Sequence, residues 1–211
     1  DNAGIYVCNL KTGEKKLIIT YAQMVDMPLL TDDESNIDRT TQKNWFNHLL
    51  FNSSGDRFIF LHRWKSNLKK DVGGFATLMY TSDLEGKKIN LVDPSNYTSH
   101  FIWKDSQHIA AWTKQPSHGP GFYVFTDGIP EETFVLNQEK MPVNGHNTYL
   151  PNKPQWILND TYPDKNRIQH VYLYNTKTDI RIPLGDFYLP NEYKGEWRCD
   201  THPRSDNNGK L

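Results

Sequence analysis

Four histidines, His48, His100, His146 and His202, recur through this 211-residue chain at intervals of 52, 46 and 56 residues. Three imidazoles together with a carboxylate such as Asp200 can hold a divalent transition metal, and nitrogen with oxygen donors suits Mn, Zn or Fe. A neutral imidazole is also the natural general base near neutral pH. Arg63 adds a planar fork that matches a carboxylate. These parts together suit proton abstraction alpha to a uronate carboxylate, which needs that carboxylate neutralised and a base close by. Other chemistries lack their signatures. The chain has no serine nucleophile elbow, phosphate-binding P-loop, glycine-rich dinucleotide turn or CxxC pair. Acidic residues at the repeated positions are too sparse to favour a glycosidase carboxylate pair.

The histidines open a repeated unit. His48 and His202 each lead, three residues on, into a polar turn closed by Gly55 and Gly209, while His100 and His146 keep an aromatic three residues on, Trp103 and Tyr149. After each complete turn comes a run rich in β-branched and aromatic residues, such as Phe58-Ile59-Phe60-Leu61, Ile109-Ala110-Ala111-Trp112 and Trp156-Ile157-Leu158. A second hairpin follows, for example Phe122-Tyr123-Val124-Phe125 turning through Asp127-Gly128 into Thr133-Phe134-Val135-Leu136. Four strands in a unit of roughly 40–55 residues is the signature of a propeller blade. The expected fold is an all-β propeller of four-stranded antiparallel blades, with 58–62, 78–82, 122–126 and 171–175 extended. As a single propeller segment, the chain divides into units 1–20 (partial), 46–92, 98–137, 144–185 and 200–211 (partial). That makes about three full blades and two partial ones, a segment of a longer protein. Tyr21 to Asn47 reads as a long polar connection whose Asp32-Asp33-Glu34 run is a solvated loop or a lid over the site.

Hairpin geometry then places side chains. The start of a first strand and the end of the second lie together, which sets Arg63 with His48, Lys114 with His100, and Asp160, Thr161 and Tyr162 with His146. Innermost strands surround the axis, so the four histidines converge there. Loops carrying Trp45, Tyr97, Tyr188, Tyr193 and Trp197 open on the same face. The expected pocket is basic, imidazole-rich and walled by aromatics, with His48, Lys114, Tyr162, Trp197 and Arg198 as substrate-binding candidates. The plainer alternative is that each repeated histidine is a turn or packing group bonding the neighbouring blade. His62, His108, His118 and His170 lie off the repeat and read as surface groups or local partners.

Bulk composition narrows the partners. The chain is 36% hydrophobic and 13% aromatic with a formal net charge of −1, which gives no electrostatic reason to bind nucleic acid. No apolar run approaches the ~20 residues that span a bilayer. The opening Asp1-Asn2-Ala3-Gly4 has neither a basic leader nor an apolar core, and bacterial periplasm or cytoplasm is the expected compartment. Cys8 and Cys199 are too few for a disulfide scaffold and read as buried apolar thiols.

The segments His48…Gly55-Asp56-Arg57-Phe58-Ile59-Phe60-Leu61-His62-Arg63-Trp64, Ser99-His100-Phe101-Ile102-Trp103, Gly145-His146…Trp156-Ile157-Leu158-Asn159-Asp160 and Gly195-Glu196-Trp197-Arg198-Cys199-Asp200-Thr201-His202-Pro203 resemble the oligogalacturonate lyase-related, TolB-like propellers. The resemblance spans nearly the whole chain. It implies a seven-bladed complete propeller, manganese bound through histidines and a glutamine, and a separate histidine base with an arginine. By blade order it puts the base at His100, the arginine near Arg63, and metal ligands at His146 and His202. This chain departs from the family just before His202, where Trp197 and Asp200 stand in place of further Gln and His ligands. Ser205 also replaces an aromatic, and Asp206-Asn207-Asn208 the usual turn. The metal set expected here is therefore His146, His202 and Asp200, holding Mn2+ with Zn2+ or Ca2+ as alternatives. The function implied is a polysaccharide lyase acting by β-elimination on an acidic, uronic-acid-containing oligosaccharide. The alternative is a non-catalytic TolB-like propeller that holds a protein or glycan partner. Oligomeric state is not legible in the residues.

Overall fold

Alternating apolar and polar residues bounded by Asn, Asp and Gly turns fold as antiparallel strands. A computed structural model describes residues 2–28, 39–65 and 74–210. The chain forms two compact units, Asp1–Thr98 and Ser99–Leu211.

In the first unit, β1 (Gly4–Cys8) pairs antiparallel with β2 (Lys15–Thr20). A short helix, α1 (Tyr21–Asp26), follows directly because the Thr20 hydroxyl caps it, accepting from the main-chain N–H of Gln23 at 3.0 Å. Next comes a four-stranded meander of β3 (Asn44–Phe51), β4 (Arg57–Lys65), β5 (Phe75–Asp83) and β6 (Asn90–Asp93). The β3–β4 turn is held by the Asn52 side-chain oxygen, which accepts from the main-chain N–H of Asp56 and of Arg57, both at 3.2 Å. On one face of this sheet Phe58, Phe60 and Trp64 of β4, with Ala76, Leu78 and Tyr80 of β5, pack against Ile5, Ile18, Ile19 and Met24. That layer is the unit's core.

The second unit repeats the meander twice. One sheet runs β7 (Phe101–Trp103), β8 (His108–Gln115), β9 (Gly119–Thr126), β10 (Ile129–Val135). The other runs β11 (Thr148–Leu150), β12 (Lys153–Asn159), β13 (Ile168–Asn175), β14 (Ile180–Tyr188). Ala110, Phe122 and Val124 of the first sheet meet Tyr149, Ile157, Tyr172 and Tyr174 of the second, with Leu136 and Met141 filling between them. The third strand of each sheet is largely buried, while the outermost strands β10 and β14 are largely exposed. All four stretches expected to be extended lie within strands, in β4, β5, β9 and β13.

Several expectations need correcting. The connection from Tyr21 to Asn47 is not plain loop: it contains α1, a 3-10 turn at Arg39–Thr41 and the start of β3. Trp45 therefore sits in a strand, opposite Arg63. The Thr20 cap and the buried Met24 are what hold the helix. Asp32-Asp33-Glu34 lie outside the described residues. The segment 202–210 forms the expected polar turn, with the Gly209 N–H donating to the Asp206 carbonyl at 3.0 Å, but it is not a strand. No described strand pairs with it, and an extended segment without a ladder gains nothing from pleating. Cys8 and Cys199 are both exposed rather than buried.

His62 is not a surface group either. It is fully buried on the core face of β4, with Nε2 bonded to the Asn44 side-chain oxygen at 2.9 Å. Burial, helped by the nearby Arg39 charge, lowers its pKa to about 3, so it stays neutral. His108 and His170 do pair locally, with Asp105 and Asp186. Among the described residues no helix is long and apolar enough to cross a membrane.

Candidate metal centre

Asp160, the residue after β12, organises the centre of the second unit. It is fully buried, and four donors converge on its carboxylate. The His146 main-chain N–H lies at 2.6 Å, His146 Nδ1 at 3.0 Å from each oxygen, the Thr201 hydroxyl at 2.7 Å and the His202 main-chain N–H at 3.0 Å. Burial alone would push this carboxyl up. The bonds from the His146 ring and main chain and from Thr201 outweigh it and pull the pKa down to about 2. One ionised side chain thus ties the turn before β11 to the segment at 200–202. Gly145 makes the approach possible, since a Cβ there would meet the Asp160 carbonyl oxygen at 1.9 Å.

The bond to Asp160 fixes the His146 tautomer. Nδ1 carries the proton and donates, which leaves the Nε2 lone pair facing away. Nε2 lies 3.9 Å from Asp200 Oδ2. The His202 ring stacks on that of His146, with centroids 3.4 Å apart and planes at 28°. Its backbone is left-handed, with φ at +41°. Burial and then the His146 ring lower the His202 pKa, against the opposing pull of Asp160 and Asp200, and favour the neutral form that ligates metals. His146, Asp200 and His202 each offer one ligand atom, and the three atoms lie within 4.8 Å of one another. Two imidazoles and a carboxylate fit Mn2+ or Zn2+; Ca2+, which takes oxygen ligands, fits them poorly.

His100 stands beside this group, its ring centroid 4.3 Å from that of His146. The Asn144 amide nitrogen donates to Ser99 Oγ at 3.1 Å, which turns the amide oxygen toward His100 Nδ1 at 2.9 Å. His100 therefore donates from Nδ1 and keeps a lone pair on Nε2, where the Tyr162 hydroxyl lies at 3.4 Å. Arg198 completes the wall: its guanidinium carbon is 4.4 Å from the Tyr162 ring centroid. Its Nε donates to both oxygens of Asp200, at 2.8 and 3.0 Å.

No family model matches the chain, and no curated protein matches it in sequence. Solved structures that match it in fold include the following two. TolB from Acinetobacter baumannii does so with a TM-score of 0.53 at 15% identity, over 88% of this chain and 38% of TolB. An oligogalacturonate lyase from Vibrio parahaemolyticus does so with a TM-score of 0.54 at 12% identity, over 88% of this chain and 48% of the lyase. Both are β-propeller proteins. The chain's four-stranded antiparallel sheets are consistent with the blades of such proteins. It spans less than half the length of either protein, and at such identities the likeness concerns the fold alone.

Within this fold the second unit gathers His100, His146, His202, Asp200, Tyr162 and Arg198, all named from the sequence. Lys114 is exposed on β8, two residues beyond Trp112, whose N–H donates to the His100 carbonyl at 2.8 Å. Trp197 lies in a 3-10 turn, Gly195–Trp197, and is 80% exposed. His48 and Arg63 belong to the first unit. His48 occupies a bulge in β3 with φ at +53°, and burial with the Arg63 charge lowers its pKa. Arg63 bonds Thr77 Oγ1 at 3.1 Å and the Asn47 side-chain oxygen at 3.3 Å, and lies 5.0 Å from the Phe75 ring centroid. Sequence reasoning missed Ser99 and Asn144, which orient His100. It also missed Gln169, whose amide nitrogen reaches Asp200 Oδ1 at 3.4 Å. It also missed the Thr201 hydroxyl as a donor to Asp160.

Proposed function

We propose that these sheets are blades of a β-propeller, and that the second unit carries the centre of a polysaccharide lyase acting by β-elimination on a uronic-acid-containing oligosaccharide. One observation carries this reading. Asp160 and Asn144 hold Nδ1 of His146 and of His100, whose rings lie 4.3 Å apart, so that one Nε2 faces Asp200 and His202 and the other faces the Tyr162 hydroxyl. That arrangement separates a ligand imidazole from a base imidazole.

His146, His202 and Asp200 would hold a divalent ion, Mn2+ in the first instance. When bound, the ion supplies Lewis-acid neutralisation of a substrate carboxylate. His100 Nε2 removes the C5 proton, which becomes acidic only once the adjacent carboxylate is neutralised. Arg198 offers a guanidinium to that carboxylate within the second unit. Tyr162 gives the sugar ring an aromatic face beside the base. As C5 loses its proton the C4–O4 bond breaks, and the leaving oxygen takes a proton from water. The likeness to the Vibrio lyase supports this reading.

The likeness to TolB extends over the same share of the chain, and supports a second reading: a non-catalytic propeller holding a protein or glycan on this face. Product formation separates the two. Incubation of the protein with Mn2+ and oligogalacturonate is expected to yield a C4–C5 unsaturated uronide, followed by its ultraviolet absorbance. Binding of the oligosaccharide without any unsaturated product selects the second reading. Elemental analysis is expected to find near-stoichiometric Mn or Zn in the wild type and none in a His146→Ala/His202→Ala double variant. Metal retained by that variant places the ligands elsewhere.

A further inference from the structure

Two cation sites meet on Asp200, which also takes the Gln169 amide at 3.4 Å. One of its oxygens faces His146 Nε2 within the group that can hold an ion. Yet both oxygens already accept from Arg198 Nε. The Asp200 side chain is 8% exposed and that of Arg198 40%, so the carboxylate is enclosed while its cation partner reaches solvent. A single enclosed carboxylate cannot serve two cations at full strength. Each positive charge weakens the hold of the other across a few ångströms of poorly screened space.

Arg198 has a second anchor. Its guanidinium lies over the Tyr162 ring, and the Tyr162 hydroxyl lies beside His100 Nε2. A guanidinium that gives up Asp200 therefore stays over Tyr162, next to the base, with its planar fork available to an anion. We propose that Arg198 couples cation binding to substrate binding: a divalent cation displaces it from Asp200, and the released guanidinium takes the carboxylate of the acidic sugar. This rests on the reading of the centre as a metal site acting on a uronide. Cation and acidic sugar then raise each other's affinity, reciprocally, through one side chain.

A supporting role for Arg198 makes the opposite prediction. If Arg198 only held Asp200 in place for the metal, its removal would loosen the metal by about 10–100-fold, as loss of such orienting partners does. Calorimetric titration of Mn2+ into wild type, Arg198→Ala and Arg198→Gln separates the two, with and without saturating trigalacturonate. Without sugar, both variants are expected to bind Mn2+ about fivefold tighter than wild type, the scale of a lost partly exposed ion pair. With sugar, the gain in Mn2+ affinity seen in wild type should shrink toward none in the variants. Weaker Mn2+ binding in either variant, or undiminished coupling to the sugar, overturns the proposal while leaving the metal reading intact. Wild-type protein that takes up no Mn2+ overturns both.

Discussion

Elimination is expected to fall by about 10²–10⁴ when His100 is replaced by alanine, the usual loss for a single general base. The side chain sits where that role needs it. Asn144 and Ser99 hold Nδ1, so the ring cannot present the wrong nitrogen to the substrate. The measurement is the rate of unsaturated uronide formation, paired with a binding titration of the same oligosaccharide. His100→Ala should keep its affinity within a few fold while turnover falls by that factor, because C5–H contributes little to ground-state binding. Loss of affinity and turnover in equal measure would make His100 part of the binding wall and move the base elsewhere.

A comparably large effect is expected at Asp160, which touches no substrate. Asp160→Asn keeps the volume but places an amide N–H among the donors of His146, Thr201 and His202. A buried charge network broken in this way typically costs about 3 kcal/mol or more. The imidazole it orients should lose about 10–100-fold in Mn2+ affinity. Acid provides an independent check. The folded-state pKa, about 2, lies below the ordinary carboxyl value of 3.8. Its contribution is therefore fully present above that ordinary value and is lost as pH falls from about 4 toward 2. The shift corresponds to stability on the order of 2 kcal/mol. Urea unfolding between pH 5 and pH 2 should show this loss in wild type and a flatter profile in Asp160→Asn. Equal slopes for the two proteins would mean that the carboxylate is not held as its four donors indicate.

The strand plan was legible because each strand carries its own signal: β-branched and aromatic runs closed by Asn, Asp or Gly. The histidine cluster was legible because His100 and His146 sit at the same step of successive sheets and His202 continues their spacing, and because hairpin pairing put Asp160 and Tyr162 just past the end of β12, near His146. What held those side chains in place was not legible. Asn144 reaches His100 across 44 residues, and the His202 main chain reaches Asp160 across 42. These partners lie in connecting segments, where no periodicity constrains residue type. Helix α1 has only six residues, too short for a 3.6-residue pattern to declare itself. His62 is a different case, for its signal was present. It alternates with Phe58, Phe60 and Trp64, which places it on the core face, and its polarity concealed a position that the alternation gave away.

The left-handed backbone of His202 carries a consequence for how this chain tolerates change. Away from glycine, that conformation costs about 1–2 kcal/mol, because Cβ crowds the following carbonyl. Glycine at the same place would relieve the crowding, although it would also lose the stacking of the ring on His146. His202→Gly is therefore expected to leave the melting temperature level or raise it, while abolishing metal uptake. Here the geometry predicts a protein that is sturdier when it is idle, with the conflict between durability and use confined to a single dihedral angle.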